Sequence, residues 1–141
     1  MTVRKSEAIW QGTLKEGGGT MRLGSGAYQG AYSYSSRFEE GAGTNPEELI
    51  AAAHAGCFSM AFSGVLTKAG FNPELIFTVA SVSLGVVDGK SQITGIHLVC
   101  EAKVFGVDEE SFQEMAEAAK VGCPVSVALS SVPVTLTAKL L

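Results

Sequence analysis

"TNPEELIAAAHAGCFSMAFSGVLTKAG", residues 44–70, decides how this chain folds. Asn45 is placed to cap a helix, Pro46 suits its first position, and Glu48 completes a capping-box pattern with Asn45. Ala, Leu, Ile, Phe and Met then run through to Lys68, and Gly70 stands at the position where helices turn off. The spacing predicts one long helix that is apolar almost all round. Such a helix is buried on most of its sides.

The flanks read as strands. "SEAIWQGTLKEGGGTMRLGSG" predicts a hairpin, with a strand through Ile9 to Leu14, a turn at Gly17 to Gly19 and a return strand from Thr20. "GAYSYSSRF" reads as a third short strand. Beyond the helix, "ELIFTVASVSLGVVDGK" and "SQITGIHLVCEAKVF" are rich in β-branched residues and are divided by Asp88-Gly89, a strong hairpin signal. "DEESFQEMAEAAKVG" predicts a second helix with an acidic first turn, stopping at Gly122. "CPVSVALS" opens a short helical turn with Pro124 at its start, and "VPVTLTAKLL" closes as a strand. The expectation is a single α+β domain over residues 1–141, with sheet wrapped around the apolar helix. One small sheet cannot cover a helix apolar on every side, so a dimer is expected.

Composition narrows the function. The chain has 141 residues, 46% hydrophobic and 17% charged, with a net charge of -4. That acidic balance argues against nucleic acid as a partner, because phosphate binding needs clustered Lys and Arg. No window holds about 18 uninterrupted apolar residues, so no membrane span is expected. "MTVRKSEAIW" lacks the apolar core of a secretory signal, which makes a cytoplasmic location the expectation. In a reducing compartment a disulfide is transient, and the three cysteines Cys57, Cys100 and Cys123 form at most one intramolecular pair. His54 and Cys57 alone do not make a zinc site, so neither metal nor cofactor is expected.

Cys100 continues the apolar strand face of Ile96, Leu98, Ala102 and Val104 and reads as core. Cys123 follows a helix-ending Gly near the start of a new helix. It is either a buried junction residue or a thiol whose pKa the amide dipoles lower. Cys57, among Ala, Gly, Phe and Met, is either core or nucleophile. Glu47 lies about 15 Å before it along an ideal helix, too far to touch the sulfur. Glu47 could instead hold a long arginine such as Arg37, whose guanidinium would favour a thiolate. Taken singly, Arg37 reads as a solvated loop charge and Glu47 as a first-turn dipole partner.

"SRFEEGAGTNPEELIAAAHAGCFSMAFS", together with "KVGCPVS", resembles the OsmC/Ohr family of thiol peroxidases, nearest its osmotically inducible OsmC branch. The resemblance spans nearly the whole chain. It implies that Cys57 is the peroxidatic cysteine, Cys123 the resolving cysteine, Glu47 the carboxylate that holds the active-site arginine, and Arg37 that arginine. The Ohr branch takes its arginine from the first hairpin, where this chain offers Arg22. The family implies an intertwined homodimer, antiparallel sheets wrapped around long central helices, and a stress-response role. Organic hydroperoxides would be the substrates and a dithiol, lipoylated protein or small molecule, the reductant. Two rival readings are a hot-dog-type acyl thioesterase, which would use Glu47 and leave Cys57 and Cys123 idle, and a non-enzymatic dimeric carrier of apolar ligands with redox-sensitive thiols.

Overall fold

The computed structural model describes residues 1–141. Its elements run β1 (Ser6–Gln11), β2 (Gly18–Leu23), β3 (Gln29–Tyr32), α1 (Tyr34–Phe38), α2 (Pro46–Lys68), β4 (Pro73–Val87), β5 (Lys90–Val104), α3 (Glu109–Gly122), α4 (Pro124–Ala128) and β6 (Val134–Leu140). This is the α+β architecture expected, built as two compact units, Met1–Leu49 and Ile50–Leu141. The strands form two separate three-stranded sheets rather than one.

In the first unit β1, β2 and β3 pair antiparallel in order. The hairpin is present but β1 begins and ends earlier than expected, and Gly18 and Gly19 lie within β2 opposite Gln11 and Trp10. The turn falls instead on Gly12 to Gly17, where Gly12 takes φ +94, a conformation that favours glycine. Gly19 is free of a side chain for another reason: a Cβ there would run into the Ile9 carbonyl of the neighbouring strand. "GAYSYSSRF" is strand only as far as Tyr32. Ser33 then caps α1, its hydroxyl accepting from the Ser36 N–H while the Ser36 hydroxyl accepts from the Ser33 N–H. That reciprocal cap outweighs the strand propensity of the tyrosines.

α2 starts as expected, with the Asn45 side chain accepting from the Glu48 N–H at 2.7 Å. The Glu48 carboxylate does not close the box on Asn45; it accepts the Thr44 hydroxyl at 2.7 Å. The helix ends at Gly70, φ +95, where the Phe71 N–H returns to the Leu66 carbonyl. By length and mean hydropathy its 23 residues pass the test for a membrane-crossing helix, a test that core helices pass as well. One face, however, is committed to protein core: His54, Phe58, Phe62 and Leu66, one turn apart, are each 0% exposed.

In the second unit that face meets Ile96, Leu98, Cys100, Ala102 and Val104 of β5 and Phe112, Ala116 and Ala119 of α3. Phe62 stands 5.7 Å from Phe58 and 5.3 Å from Phe112, ring centre to ring centre, in tilted pairs. The Ser59 and Thr78 hydroxyls, 2.8 Å apart, hook α2 to β4. β4 and β5 form a long hairpin through Asp88 (φ 51) and Gly89 (φ 77), the pair expected for a tight primed turn. β6 departs from antiparallel pairing and lies parallel to β5, from Ile96↔Val134 to Ala102↔Leu140. The connection through α3 and α4 permits this, since parallel strands need a crossover.

Candidate active site

α4 is short, but it brings two sulfurs together. Gly122 ends α3, Cys123 is extended (φ -62, ψ 124), and Pro124 fixes the first residue of α4. Cys123 is thereby turned inward and is 0% exposed. Cys57, half-buried on α2, meets it with the two Sγ atoms 2.8 Å apart, both free thiols. The sequence left each of these cysteines open between core and chemistry. Two thiols at this distance and sharing a proton is an arrangement that packing alone does not require.

The surroundings treat the two sulfurs differently. Burial pushes the Cys57 thiol up, as does its hydrogen bond with Cys123, and the Val125 N–H counters only in part. Burial pushes Cys123 up as well. There it is outweighed by the hydrogen bond shared with Cys57 and by the polar groups of Ser126 and Val125 at the start of α4, so that Cys123 lies below the ordinary thiol value. The two sulfurs share a proton across this contact, Cys123 donating it to Cys57.

Ser126 makes a contact that sequence reasoning missed. Its hydroxyl lies 2.7 Å from Nε2 of His54, which burial holds below the ordinary imidazole value. The signal was present as two matching offsets, His54 three residues before Cys57 and Ser126 three residues after Cys123. Each offset stacks its pair one helical turn apart. Cys100 lies apart from this group, in the core opposite Thr78, where burial pushes its thiol up.

The first unit assembles the other two expected residues. Arg37, in the last turn of α1, donates from Nε to Oε1 of Glu47 at 2.9 Å and from Nη2 to Oε2 at 3.0 Å. This fork-on-fork geometry fixes the guanidinium plane. Glu47 is 7% exposed, and the Phe38 ring lies 5.3 Å below the guanidinium carbon. The loop between the two residues is held by the Ser36 hydroxyl on the Thr44 carbonyl, the Asn45 amide on the Ser36 carbonyl, and a bridge between Tyr32 and Thr44. Arg37 also borders an aromatic cavity of about 230 Å³ with Trp10, Leu14, Tyr32, Tyr34 and Phe38. Arg22, the alternative arginine, is well exposed and pairs with exposed Glu7 at 3.2 Å. A cavity of about 790 Å³ opens along the β1–β2 loop and offers no thiol.

Comparison with known proteins is consistent with this chemistry. The family model described as OsmC-like protein matches residues 39–137. The chain is 49% identical over 133 residues to peroxiredoxin OsmC of Escherichia coli, covering 93% of each. It is 34% identical over 101 residues to the organic hydroperoxide resistance protein of Xanthomonas axonopodis pv. citri, covering 69% of this chain and 68% of that one. Among solved structures, the organic hydroperoxide resistance protein OhrB of Bacillus subtilis superposes with a TM-score of 0.73 at 26% identity, covering 97% of this chain and 98% of that one.

Proposed function

The chain belongs to the OsmC family, and from that premise we propose that it is a thiol-dependent peroxidase that reduces organic hydroperoxides to alcohols. The observation that carries this reading is the 2.8 Å approach of two free thiols of unequal accessibility. The half-buried sulfur is the one a peroxide reaches, and the buried sulfur is the one kept for the second step.

Cys57 attacks the terminal peroxide oxygen as thiolate. Its sulfur supplies the electron pair, the O–O bond breaks, and Cys57 becomes a sulfenic acid. The departing alkoxide takes the proton the two thiols shared and leaves as the alcohol. Cys123, now a thiolate, attacks the Cys57 sulfur; the S–S bond forms, the S–O bond breaks, and hydroxide leaves and is protonated to water. A dithiol, lipoylated or small, restores both thiols by two exchanges. A recyclable disulfide suits a cytoplasmic setting.

Arg37 is the proposed charge partner of the thiolate and of the departing oxygen, made rigid by Glu47. Its bidentate anchor supports it over Arg22, and its aromatic surroundings support an apolar substrate. We read the chain as one domain, a reading supported by a relative that aligns over 93% of it, across both compact units. It acts as a homodimer: α2 leaves Ala53, Gly56, Gly64 and Met60 exposed, Met60 at 79%, a face that a second copy would cover.

Mass spectrometry after one equivalent of cumene hydroperoxide, with and without dithiothreitol, tests the reading. A Cys57–Cys123 disulfide that forms and is reversed by dithiothreitol is expected. A Cys57 that stays reduced under excess peroxide would overturn it. Light scattering on the eluted protein checks for the dimer.

A further inference from the structure

α4 has little apolar side chain to hold it in place. Of its five residues, Ser126 alone is buried; Val125 is half-buried, and Pro124, Val127 and Ala128 are exposed. The polar side-chain contacts that join this stretch to α2 are two. Cys123 Sγ, at the boundary of α4, meets Cys57 Sγ at 2.8 Å, and Ser126 Oγ lies 2.7 Å from Nε2 of His54. Ser126 stands three residues after Cys123, and His54 three residues before Cys57. On α2 that offset is about 4.5 Å of rise. A single contact leaves a five-residue helix free to pivot, whereas two contacts a turn apart fix both its distance and its slope.

The reaction treats these two contacts differently. Oxidation of Cys57 to the sulfenic acid consumes the thiolate that accepts the Cys123 S–H. The first contact is thus lost as a hydrogen bond at the stage when Cys123 is needed. The second involves neither sulfur. The His54 ring is fully buried and its Nδ1 has no partner, so Ser126 is its one polar contact. Nε2 and Oγ bond in either tautomer, because each atom is able to donate or accept. Neither group can turn to water without leaving the core, which makes the bond costly to break.

We propose that the His54–Ser126 hydrogen bond is a latch that keeps Cys123 against Cys57 through the sulfenic acid stage, both residues acting as positioning residues for disulfide closure. From 2.8 Å the sulfurs need approach only about 0.8 Å to bond, a movement small enough for the latch to stay closed. The catalytic purpose rests on the peroxidase reading; the tethering of the two thiols does not.

Exchange with dithiothreitol measures that tether without peroxide. In a Cys100→Val background the thiol pair and oxidised dithiothreitol interconvert with the Cys57–Cys123 disulfide and reduced dithiothreitol. The position of this equilibrium reports how closely the reduced thiols are held. Acid quenching, alkylation and mass spectrometry read the fraction bonded. Ser126→Ala is expected to need about a tenfold higher ratio of oxidised to reduced dithiothreitol for half-formation, and Ser126→Thr, which keeps the hydroxyl, to recover most of that shift. After rapid mixing with cumene hydroperoxide, the Cys57 sulfenic acid of Ser126→Ala, trapped by dimedone, should persist about tenfold longer. An equilibrium unmoved in Ser126→Ala, at the circular dichroism of the parent, would overturn the proposal, as would a Ser126→Thr displaced as far as Ser126→Ala. Should Ser126→Ala lose the parent's fold, His54→Phe, which fills the ring's volume without its nitrogens, decides in its place. A Cys57 that peroxide leaves reduced would defeat the peroxidase reading and leave the equilibrium result standing.

Discussion

Replacing Cys123 by Ser separates the two halves of the proposed cycle, and the structure sets the size of the effect. A sulfur confined within 2.8 Å of its partner occupies a sphere equivalent to a local concentration of about 20 M. An external monothiol at about 1 mM competes for the same sulfenic acid at roughly one part in 10⁴ of that concentration. In Cys123→Ser the Cys57 sulfenic acid should therefore persist about 10⁴-fold longer under such conditions, while its formation continues. Rapid mixing with cumene hydroperoxide, a dimedone quench at increasing delays and mass spectrometry of the Cys57 peptide measure that lifetime. Prolonged exposure should also carry Cys57 on to the sulfinic acid. A variant that resolves its sulfenic acid at the unaltered protein's rate would show that the 2.8 Å contact has no part in the reaction, and the assignment of Cys123 would fall with it.

Glu47→Gln keeps the shape of the Arg37 partner but removes its charge. Because Arg37 is partly exposed, the loss is about 1 kcal/mol, or a five- to tenfold slower formation of Cys57 sulfenic acid; an unchanged rate would remove Arg37 and Glu47 from the proposed site. Phe62→Ala empties a fully buried position between Phe58 and Phe112 and should cost about 4 kcal/mol in denaturant titration, with a loss below about 1 kcal/mol contradicting the core described above. Acidification should destabilise the fold through His54. Its folded pKa is lowered by burial, so the unfolded chain binds the extra proton first, and stability present above the ordinary imidazole value of 6.5 is lost as pH falls below it. Denaturation midpoints at successive pH values check this, and His54→Gln should flatten the curve; equal slopes in the two proteins would refute it.

Much of the fold was legible because its signals are local. Asn45, Pro46 and Gly70 bound α2, Asp88-Gly89 turns the long hairpin, and the alternation from Ile96 to Val104 marks the face of β5 that is buried. What was not legible depends on pairing between distant residues. Nothing in "VPVTLTAKLL" says that it runs parallel to β5 rather than against it, since both pairings use the same alternation. Ser33 looked like strand because its capping role needs Ser36 three residues on. At the candidate site, the sequence supplied Cys57 and Cys123 through resemblance and could not supply their distance. His54 stood in plain view but was weighed only as a metal ligand, because its partner, Ser126, is 72 positions away. Two idle cysteines, as the thioesterase reading requires, are hard to square with sulfurs held 2.8 Å apart.

The parallel seat of β6 has a consequence for how the chain is made. β5 offers Ile96 to Ala102 to a strand whose partner for Ala102, Leu140, lies 38 residues further along. At synthesis rates of 5–20 residues per second, that ladder waits about 2–8 s for its last partner. Throughout that interval the growing chain carries an open edge on a strand whose inner face is core, the kind of template on which neighbouring nascent chains pair. The β4–β5 hairpin, closed by adjacent residues, needs no such wait. Ribosome pausing or truncation between Ala102 and Leu140, a window that includes the Cys123 codon, thus falls on the most hazardous part of this chain's synthesis.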